Sequence, residues 1–393
     1  MYTNYEYPAY TLHFVQRNGH FVQSRENAEF PLFFIATFAE KKESHSMNKS
    51  SVIFLVAATL VVFGTIFLVE KKTSNKGSAE KKNSKQSLRQ ENAIYYWRTT
   101  FKLDDYEKKF LKKNDIQKMY VRFFDVDVNP DTLSDDRCVP VATISFNDSM
   151  PDGVEIVPTV FITPEAIKEW PSFSNFLARR IYAMCEYNGI SPNEVQFDCD
   201  WTTSTRTAFF EFLKNIRLQL KRYYPNIKTS STIRLHQLSQ TPPDVDYGVL
   251  MCYNTGNFKD FDTKNSILDI EDVKPYLKYI KNYTLPLCLA LPVYEWNVVF
   301  ERNHEFKYLD NNNLDVSDAS YFESLGDNLY ASKGGALNYY PYVRHESVSA
   351  QKLFSVKKMM FEKNGAEMSI VLYHLDSKQL TKYSDNEINE IYR

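Results

Sequence analysis

The stretch Val195-Gln-Phe-Asp-Cys-Asp-Trp-Thr202 carries two carboxylates at alternate positions of an otherwise largely apolar run. If the run is a β-strand, its period of two places Gln196, Asp198 and Asp200 on one face and the apolar residues on the other. A helical pattern follows it along the chain. Carboxylates at the C-terminal end of a strand that leads into a helix are where (β/α)8 barrels hold their chemistry. The stretch therefore predicts both a fold and the position of a site.

Strand-like and helical patterns alternate along most of the chain. The strand-like runs are residues 119–127, 141–146, 155–162, 195–201, 229–235, 248–254, 285–293 and 368–374. Helical patterns lie between several of these runs, and Gly189 and Gly365 stand where helices would end. Alternating strands and helices indicate parallel βαβ units, and eight strands favour a closed (β/α)8 TIM barrel of the α/β class over an open sheet.

An uncharged apolar run, residues 51–69, precedes the barrel pattern and is long enough to cross a bilayer as one helix. It lacks the polar face of a soluble helix. It is also longer than the apolar region of a signal peptide, and no A-x-A cleavage site follows it. We therefore expect an uncleaved transmembrane anchor at residues 51–69.

The remaining organisation follows from composition. Residues 1–46 show no periodicity, and Met47-Asn-Lys-Ser begins like an ordinary N-terminus, so we expect a non-structured or mis-annotated extension there. Residues 70–91 are rich in Lys, Ser, Asn and Gly, which predicts a polar linker. Residues 92–393 are expected to form the TIM-barrel domain, with an insertion at about residues 300–345.

The charges around the apolar run do not decide on which side of the membrane the globular domain lies. Six lysines follow it within the linker, and the positive-inside rule would keep that side in the cytoplasm. A short N-terminal tail before a large C-terminal domain favours the opposite arrangement. We expect a single-pass membrane protein whose globular domain is exported.

Composition excludes several classes of function. A net charge of −2 argues against a nucleic-acid partner held by phosphate contacts. The five cysteines form no C-x-x-C pair, so neither a zinc site nor a disulfide framework is indicated. No glycine-rich phosphate loop and no H-E-x-x-H motif occurs. We therefore expect no metal and no cofactor.

Polar side chains gather at the C-terminal ends of the predicted strands, as in a glycosidase site. Hydrolysis there needs one carboxyl to protonate the leaving oxygen and a second to stabilise the sugar cation or activate water. We expect Asp200 to stabilise the reacting centre, Glu295 to act as acid or base, and Asp198 to tune them. The expected substrate-binding residues are Asp125, Asp127, Arg234, His236, Tyr253, Asn254, Tyr294 and Trp296.

Each of these residues also fits a structural role. Asp198 and Asp200 could be a buried pair that accepts hydrogen bonds, and Arg234 could simply neutralise a barrel carboxylate. Tyr253 and Trp296 fit a core as well as a surface on which sugars stack. The residue types alone leave these alternatives open.

Three short segments resemble family 18 glycoside hydrolases, the chitinase group. Phe197-Asp-Cys-Asp-Trp201 resembles the signature D-x-x-D-x-D-x-E of the fourth strand in that family. Met251-Cys-Tyr-Asn254 is similar to its Met-x-Tyr-Asp segment, and Leu291-Pro-Val-Tyr-Glu-Trp296 to its Leu-Pro-x-Tyr-Gly segment. The resemblance implies a barrel from about residue 115 to 376. It also implies that Asp198 and Asp200 position the acetamido group of a substrate.

The sequence departs from the family pattern where the family has its acid. Val195 stands at the first Asp, Thr202 at the catalytic Glu, and Asn254 at the Asp after the tyrosine. A threonine hydroxyl cannot protonate a glycosidic oxygen. The first hypothesis is therefore a glycoside hydrolase-like protein that acts on or binds a polysaccharide or cell-envelope glycan, with Glu295 supplying the acid. The alternatives are a catalytically inactive glycan- or protein-binding barrel and an envelope scaffold.

Overall fold

A computed structural model describes residues 90–131, 133–134, 136–311, 314–334 and 341–393. The expected N-terminal extension, the expected anchor at residues 51–69 and all but the last two residues of the expected linker lie outside these ranges. No helix within the described ranges is long and apolar enough to span a membrane.

Strands and helices alternate through the described ranges. The strands are β1 (Asn92–Tyr96), β2 (Thr100–Phe101), β3 (Ile116–Val128), β4 (Cys138–Val141), β5 (Ser145–Phe146), β6 (Glu155–Ile162), β7 (Glu194–Asp198), β8 (Lys228–Arg234), β9 (Tyr247–Met251), β10 (Leu287–Pro292), β11 (Trp296–Phe300), β12 (Phe306–Asp310), β13 (Phe322–Gly326), β14 (Leu329–Ser332), β15 (Tyr342–Glu346) and β16 (Ile370–Tyr373). The α-helices are α1 (Asp105–Lys113), α2 (Trp170–Tyr187), α3 (Arg206–Leu220), α4 (Ile270–Val273), α5 (Leu277–Ile280), α6 (Ala350–Asn364), α7 (Ser377–Leu380) and α8 (Asp385–Tyr392), and 3-10 helices occupy Ala166–Glu169, Leu235–Ser239 and Lys274–Tyr276.

Eight parallel strands close into a barrel. Their order around it is β1, β3, β6, β7, β8, β9, β10 and β16, and β16 pairs with β1 to complete the ring. Each strand therefore has a neighbour on both sides, and no edge is left. The prediction of a (β/α)8 barrel is confirmed.

Two of the strands expected from the sequence differ from those in the barrel. The first barrel strand is β1, which the sequence analysis missed, so the barrel begins at Asn92 rather than near residue 115. The run 141–146 was expected to be a barrel strand but lies outside the ring. Its first residue ends β4, which pairs antiparallel with β3, and its last two form β5, which pairs with β2.

The barrel interior and the helix-facing layer have separate cores. Inside the ring, a largely aromatic cluster includes Tyr95, Tyr120, Tyr247 and Tyr253. The larger core lies between the strands and the helices, where each helix buries its apolar face. Burial on both faces explains why most barrel strands are apolar over nearly their whole length.

The N-terminal end of the barrel is closed by a charged group. Glu194, 1% exposed, accepts hydrogen bonds from Ser230 Oγ at 2.5 Å, from Lys118 Nζ at 2.9 Å and from the hydroxyl of Tyr247. A buried carboxylate is tolerated only when paired and hydrogen-bonded, and this one is. The opposite end of the barrel, at the C-terminal ends of the strands, is called the mouth below.

Close packing around one residue explains why β9 carries a glycine. A Cβ on Gly248 would lie 2.7 Å from Ile233 Cγ1 and 3.0 Å from Leu287 Cδ2. Neighbouring strands β8 and β10 therefore leave no room for a side chain at this position.

Helix α6 shows how local sequence fixes the helix ends. Ser349 accepts a hydrogen bond from Lys352 N at the start of the helix, and Gly365 ends it with a φ of +76°. A left-handed residue at this position is most easily a glycine, so Gly365 acts as the predicted stop.

The segment between β10 and α6 forms a second sheet. Its five antiparallel strands have the order β12, β11, β15, β14, β13. One face carries a small core that includes Val299, Phe322 and Val343. The segment leaves the barrel after β10 and returns through α6 to β16, which is the barrel neighbour of β10. The sheet therefore stands beside one sector of the mouth.

Candidate functional site

The two aspartates of the strand β7 segment line the interior near the mouth. Asp198 is 3% exposed and Asp200 is 8% exposed. Gln196 precedes them on the same face and accepts a hydrogen bond from Tyr95 Oη at 2.8 Å. The strand parity predicted from the sequence therefore places these three side chains correctly.

An arginine on the neighbouring strand neutralises both aspartates. Arg234 Nε donates to Asp200 Oδ1, and Arg234 Nη2 lies 3.8 Å from Asp198 Oδ1. Thr232 Oγ1 donates to Asp198 Oδ1 at 2.5 Å. Because β8 pairs with β7 in parallel, residues at the ends of the two strands meet across the interior. The structure thus brings Asp198, Asp200 and Arg234 into one group.

Burial affects the two aspartates in different ways. It raises the pKa of Asp198 to about 6, and the Asp200 charge raises it further while Arg234 and Thr232 oppose the rise. Asp200 Oδ2 is buried without a hydrogen-bond partner among the described residues. Asp200 therefore keeps one acceptor that nothing in the described part of the chain satisfies.

A second arginine–aspartate pair lies in the same interior. Arg122 Nε donates to Asp125 Oδ1 at 2.7 Å, and its Nη2 donates to the other carboxylate oxygen. Burial raises the pKa of Asp125, against the opposing effect of Arg122. Arg122 faces the interior by ordinary alternation from Tyr120, and the shift in the pairing of β3 with β6 between Arg122 and Phe124 brings Asp125 onto the same face. A strict period of two would place Phe123 on the face of Asp125, whereas Phe123 packs in the helix-facing core. Arg122 was not among the predicted site residues.

Asp127 and His236 lie farther from this group along their strands. Asp127 is half-buried, and its carboxylate accepts from Thr163 Oγ1 at 3.0 Å and from Val128 N at 2.8 Å. The bond to Thr163 joins the end of β3 to the loop after β6. His236 is exposed in the 3-10 turn that follows Arg234.

Glu295 belongs to a different ion-pair group. It pairs with Lys382 and lies 3.8 Å from His345 Nε2. Leu291 and Val293, which share its strand parity, pack in the helix-facing core. The structure therefore groups Glu295 with side chains between the second sheet and the C-terminal segment.

Thr202, at the position of the family's acid, takes part in the start of α3. Its backbone N donates to Thr205 Oγ1 at 2.9 Å, and its carbonyl accepts from Arg206 N at 2.9 Å. Its hydroxyl lies 2.8 Å from Ser204 Oγ. The side chain is exposed and offers no carboxyl group.

Aromatic rings form a continuous strip across the mouth. Tyr253 lies 4.8 Å from Tyr373 and 6.3 Å from Tyr294, measured between ring centroids. Tyr294 lies 5.4 Å from Trp296, and Tyr373 lies 6.0 Å from Trp97. Except for Tyr253, which is buried, these rings are partly exposed. Tyr253, Tyr294 and Trp296 were predicted site residues, whereas Trp97 and Tyr373 were missed.

Asn254 ties this strip to the loop after β9. Its Oδ1 accepts a hydrogen bond from Tyr294 Oη at 2.6 Å, and its φ of +51° turns the chain away from the strand. Asparagine is among the residues that most readily adopt this conformation. Within the described ranges, no group of three or more histidine, cysteine, aspartate or glutamate side chains could hold a metal ion.

Comparison with solved structures finds this fold in chitinases. The chitinase from Chromobacterium violaceum ATCC 12472 matches with a TM-score of 0.50 and 12% identity, over 77% of this chain and 98% of that one. The Bacillus cereus spore cortex-lytic enzyme SleL matches with a TM-score of 0.47 and 14% identity, over 77% of this chain and 75% of that one. No protein-family model and no curated protein matches the sequence. The chain therefore has the glycoside hydrolase-like TIM-barrel fold that its sequence resembles, at an identity that establishes the fold alone.

Proposed function

We propose that this chain is a membrane-anchored, glycoside hydrolase-like barrel that binds a polysaccharide or cell-envelope glycan without cleaving it. The observation that carries the proposal is the ion pair of Arg234 with Asp200, beside a threonine at the family's acid position. A site with this composition retains groups that hold a sugar and lacks the group that protonates its leaving oxygen.

Three carboxylates near the mouth form ion pairs with cationic side chains. Asp200 pairs with Arg234, Asp125 with Arg122, and Glu295 with Lys382. A general acid needs a carboxyl that is able to reach the leaving oxygen, whereas each of these carboxylates is held by a cationic side chain of the chain itself. These pairs therefore suit a site that holds charge in place rather than one that transfers a proton.

The aromatic strip supplies a surface for sugar rings. Trp97, Tyr373, Tyr294 and Trp296 are partly exposed and follow one another across the mouth at 5.4–6.0 Å between centroids. Such rings combine a large apolar face with a polar edge at low cost in conformational entropy. A glycan chain, with apolar C–H faces and polar hydroxyls, has the matching chemistry.

Two observations support the hydrolase alternative. Burial raises the pKa of Asp198 to about 6, so this carboxyl exchanges its proton near neutral pH. Asp200 also keeps a buried oxygen without a partner among the described residues. Cleavage by this pair would require Arg234 to release Asp200 when a glycan binds.

One experiment separates these functions. The full chain, purified in a mild detergent, is mixed with chitin oligosaccharides, other polysaccharides and peptidoglycan fragments, and binding and reducing-end release are followed in the same tubes. We expect binding without release, and weaker binding in Tyr294→Ala. Tyr321→Ala, which removes a tyrosine that is 55% exposed directly before β13, is the matched control and should bind normally.

The other outcomes are equally informative. Release that disappears in Asp200→Asn would establish the hydrolase alternative. Neither binding nor release across the panel would exclude both sugar functions for those glycans and leave the scaffold alternative.

The proposed anchor and export rest on residues 51–69 and need their own measurement. The described cysteines are buried except Cys138, which is half-buried, whereas Tyr187 is 91% exposed. Tyr187→Cys therefore adds one readily labelled thiol. We expect a membrane-impermeant maleimide to label it in intact cells and the chain to remain in the membrane after carbonate extraction. Labelling only after lysis would reverse the orientation, and release by carbonate would exclude the anchor.

A further inference from the structure

We infer that Glu346, a buried residue of the second sheet, is a positioning residue that sets the wall of the glycan-binding mouth. This inference rests on the proposed function, because the ring it holds, Trp296, is one of the proposed sugar-stacking surfaces. Glu346 does not itself face the mouth.

Glu346 collects four hydrogen bonds at a fully buried carboxylate. It is 0% exposed and is the last residue of β15. Its Oε2 accepts from Trp296 Nε1 at 2.8 Å and from Ser266 N and Oγ at 2.9 and 2.5 Å. Its Oε1 accepts from Arg344 Nε at 2.7 Å. One side chain thus joins the second sheet to the loop that follows β9.

Arg344 extends the same connection to a second aromatic ring. It is 2% exposed, and its Nη1 donates to the carbonyls of Asp260 and Phe261 at 2.8 and 3.1 Å. Its Nη2 donates to the carbonyl of Phe258 at 3.1 Å. The Phe258 ring lies 6.2 Å from the Trp296 ring. The Arg344–Glu346 pair therefore fixes both the Trp296 edge and the backbone that carries Phe258.

Packing and this hydrogen bond together set the orientation of Trp296. The ring is partly exposed and packs against the helix-facing core, and its aromatic neighbours are Tyr294 at 5.4 Å and Phe258. A hydrogen bond to a buried carboxylate is strong and directional. The indole edge is therefore held in one place before any ligand arrives, which lowers the entropic cost of binding.

The substitution Glu346→Gln removes this geometry at nearly constant volume. Four donors converge on the carboxylate, whereas a glutamine amide offers one acceptor oxygen and two further donors. At least one donor, from Trp296, Ser266 or Arg344, must then face another donor. The matched control is Glu194→Gln at the closed end of the barrel, where a 1% exposed glutamate also accepts from several donors.

Fluorine NMR of the full chain labelled with 5-fluorotryptophan reports on Trp296 without any ligand. Trp296→Phe assigns the signal by removing it. We expect Glu346→Gln to shift or broaden the Trp296 signal and to leave those of Trp97, Trp170 and Trp201 in place. Glu194→Gln should leave the Trp296 signal unchanged.

Binding of the chitin hexasaccharide tests the functional consequence. We expect Glu346→Gln to weaken it about 10-fold, because the indole ring would then have to be ordered when the glycan binds. A 10-fold loss corresponds to about 1.4 kcal/mol. Most of that loss should be absent when the change is made in Trp296→Phe, since the two substitutions remove the same interaction. Glu194→Gln should bind like the wild type.

Each other result has a definite meaning. Normal affinity and an unchanged Trp296 signal in Glu346→Gln, or effects that add fully to those of Trp296→Phe, would reduce Glu346 to a structural residue. If Glu346→Gln does not fold, wild-type affinity in Trp296→Phe would overturn the inference instead. If the wild-type chain binds no glycan in the panel, the proposed function is overturned. The fluorine signal of Trp296, which needs no ligand, then still shows whether Glu346 positions this ring.

Discussion

Ionisation of the Asp198 carboxyl lowers the stability of the fold. The side chain is 3% exposed, and burial raises its pKa to about 6, whereas an aspartate in an unfolded chain titrates near ~3.9. Between these two values the folded chain binds more protons than the unfolded chain. The contribution of Asp198 therefore makes the fold less stable as pH rises through this window, by about 3 kcal/mol in total.

Asp198→Asn should remove this pH dependence. The amide stays neutral and can still accept from Thr232, so we expect the variant to be more stable than the wild type at pH 8 by up to about 2–3 kcal/mol. The difference should fall to about 0.5 kcal/mol near pH 4, where the folded wild-type carboxyl is protonated and the unfolded one is about half protonated. Urea unfolding at the two pH values measures it. Asp262→Asn, at an exposed loop position, is the control, and an equal gain there would contradict the assignment.

Regular strands made the residues of the mouth predictable. Asp198, Asp200, Arg234 and Tyr253 all lie where a period of two places them, because β7, β8 and β9 continue without irregularity toward the mouth. Arg122 was missed because the strand irregularity beside Phe123 reverses the parity of β3. No residue type in that stretch signals a bulge.

Glu295 shows a second limit of the same reasoning. The sequence showed that Glu295 shares a strand face with Leu291 and Val293. It did not show whether that face points into the barrel or toward the helices. Both residues are apolar and buried, so they fit the interior and the helix side equally well. In the structure Ala290 lines the interior, whereas Leu291 and Val293 face the helices.

At the scale of elements, strand β9 is limited by the space between its neighbours. A Cβ on Gly248 would lie within 2.7 Å of Ile233 Cγ1. We expect Gly248→Ala to destabilise the fold by about 1–3 kcal/mol, as overpacking does in well-packed cores. The free energy of unfolding in urea measures it.

A second substitution tests the cause. Ile233→Ala removes the contacting Cγ1 atom, so Gly248→Ala should cost clearly less in that background. Costs that simply add would mean that the backbone of β9, rather than the Ile233 side chain, is the source of the strain.

The two misassigned strands had understandable causes. The sequence of β1, Asn92–Tyr96, is short, lacks alternation and directly follows the polar linker, so nothing in it marks a barrel strand. The run 141–146 alternates apolar and polar residues as a strand does, yet only tertiary pairing decides which sheet a strand joins. The total of eight was correct because one omission and one wrong inclusion cancelled.

At the scale of the whole molecule, β1 completes the ring. It pairs with β3 on one side and β16 on the other, and Ile94, Tyr95 and Tyr96 are 0% exposed. A chain that begins at residue 115, where the sequence pattern placed the barrel, would leave both partners with open edges and a large apolar surface uncovered.

We therefore expect different behaviour from two shortened chains. Residues 90–393 should unfold cooperatively in urea, whereas residues 115–393 should show no cooperative transition and should aggregate. Circular dichroism and size-exclusion chromatography measure both properties. A cooperative transition with an unchanged midpoint in the shorter chain would mean that β1 is not needed for closure.

The route of the chain through the second sheet has a consequence for evolution. The segment departs after β10 and returns to β16, and these two strands are adjacent in the ring, so its two ends emerge from a single sector. This segment can change in sequence or in length while every strand of the ring keeps its partners. Natural selection thus has one region in which to adjust what the protein recognises and another whose architecture it can leave unaltered.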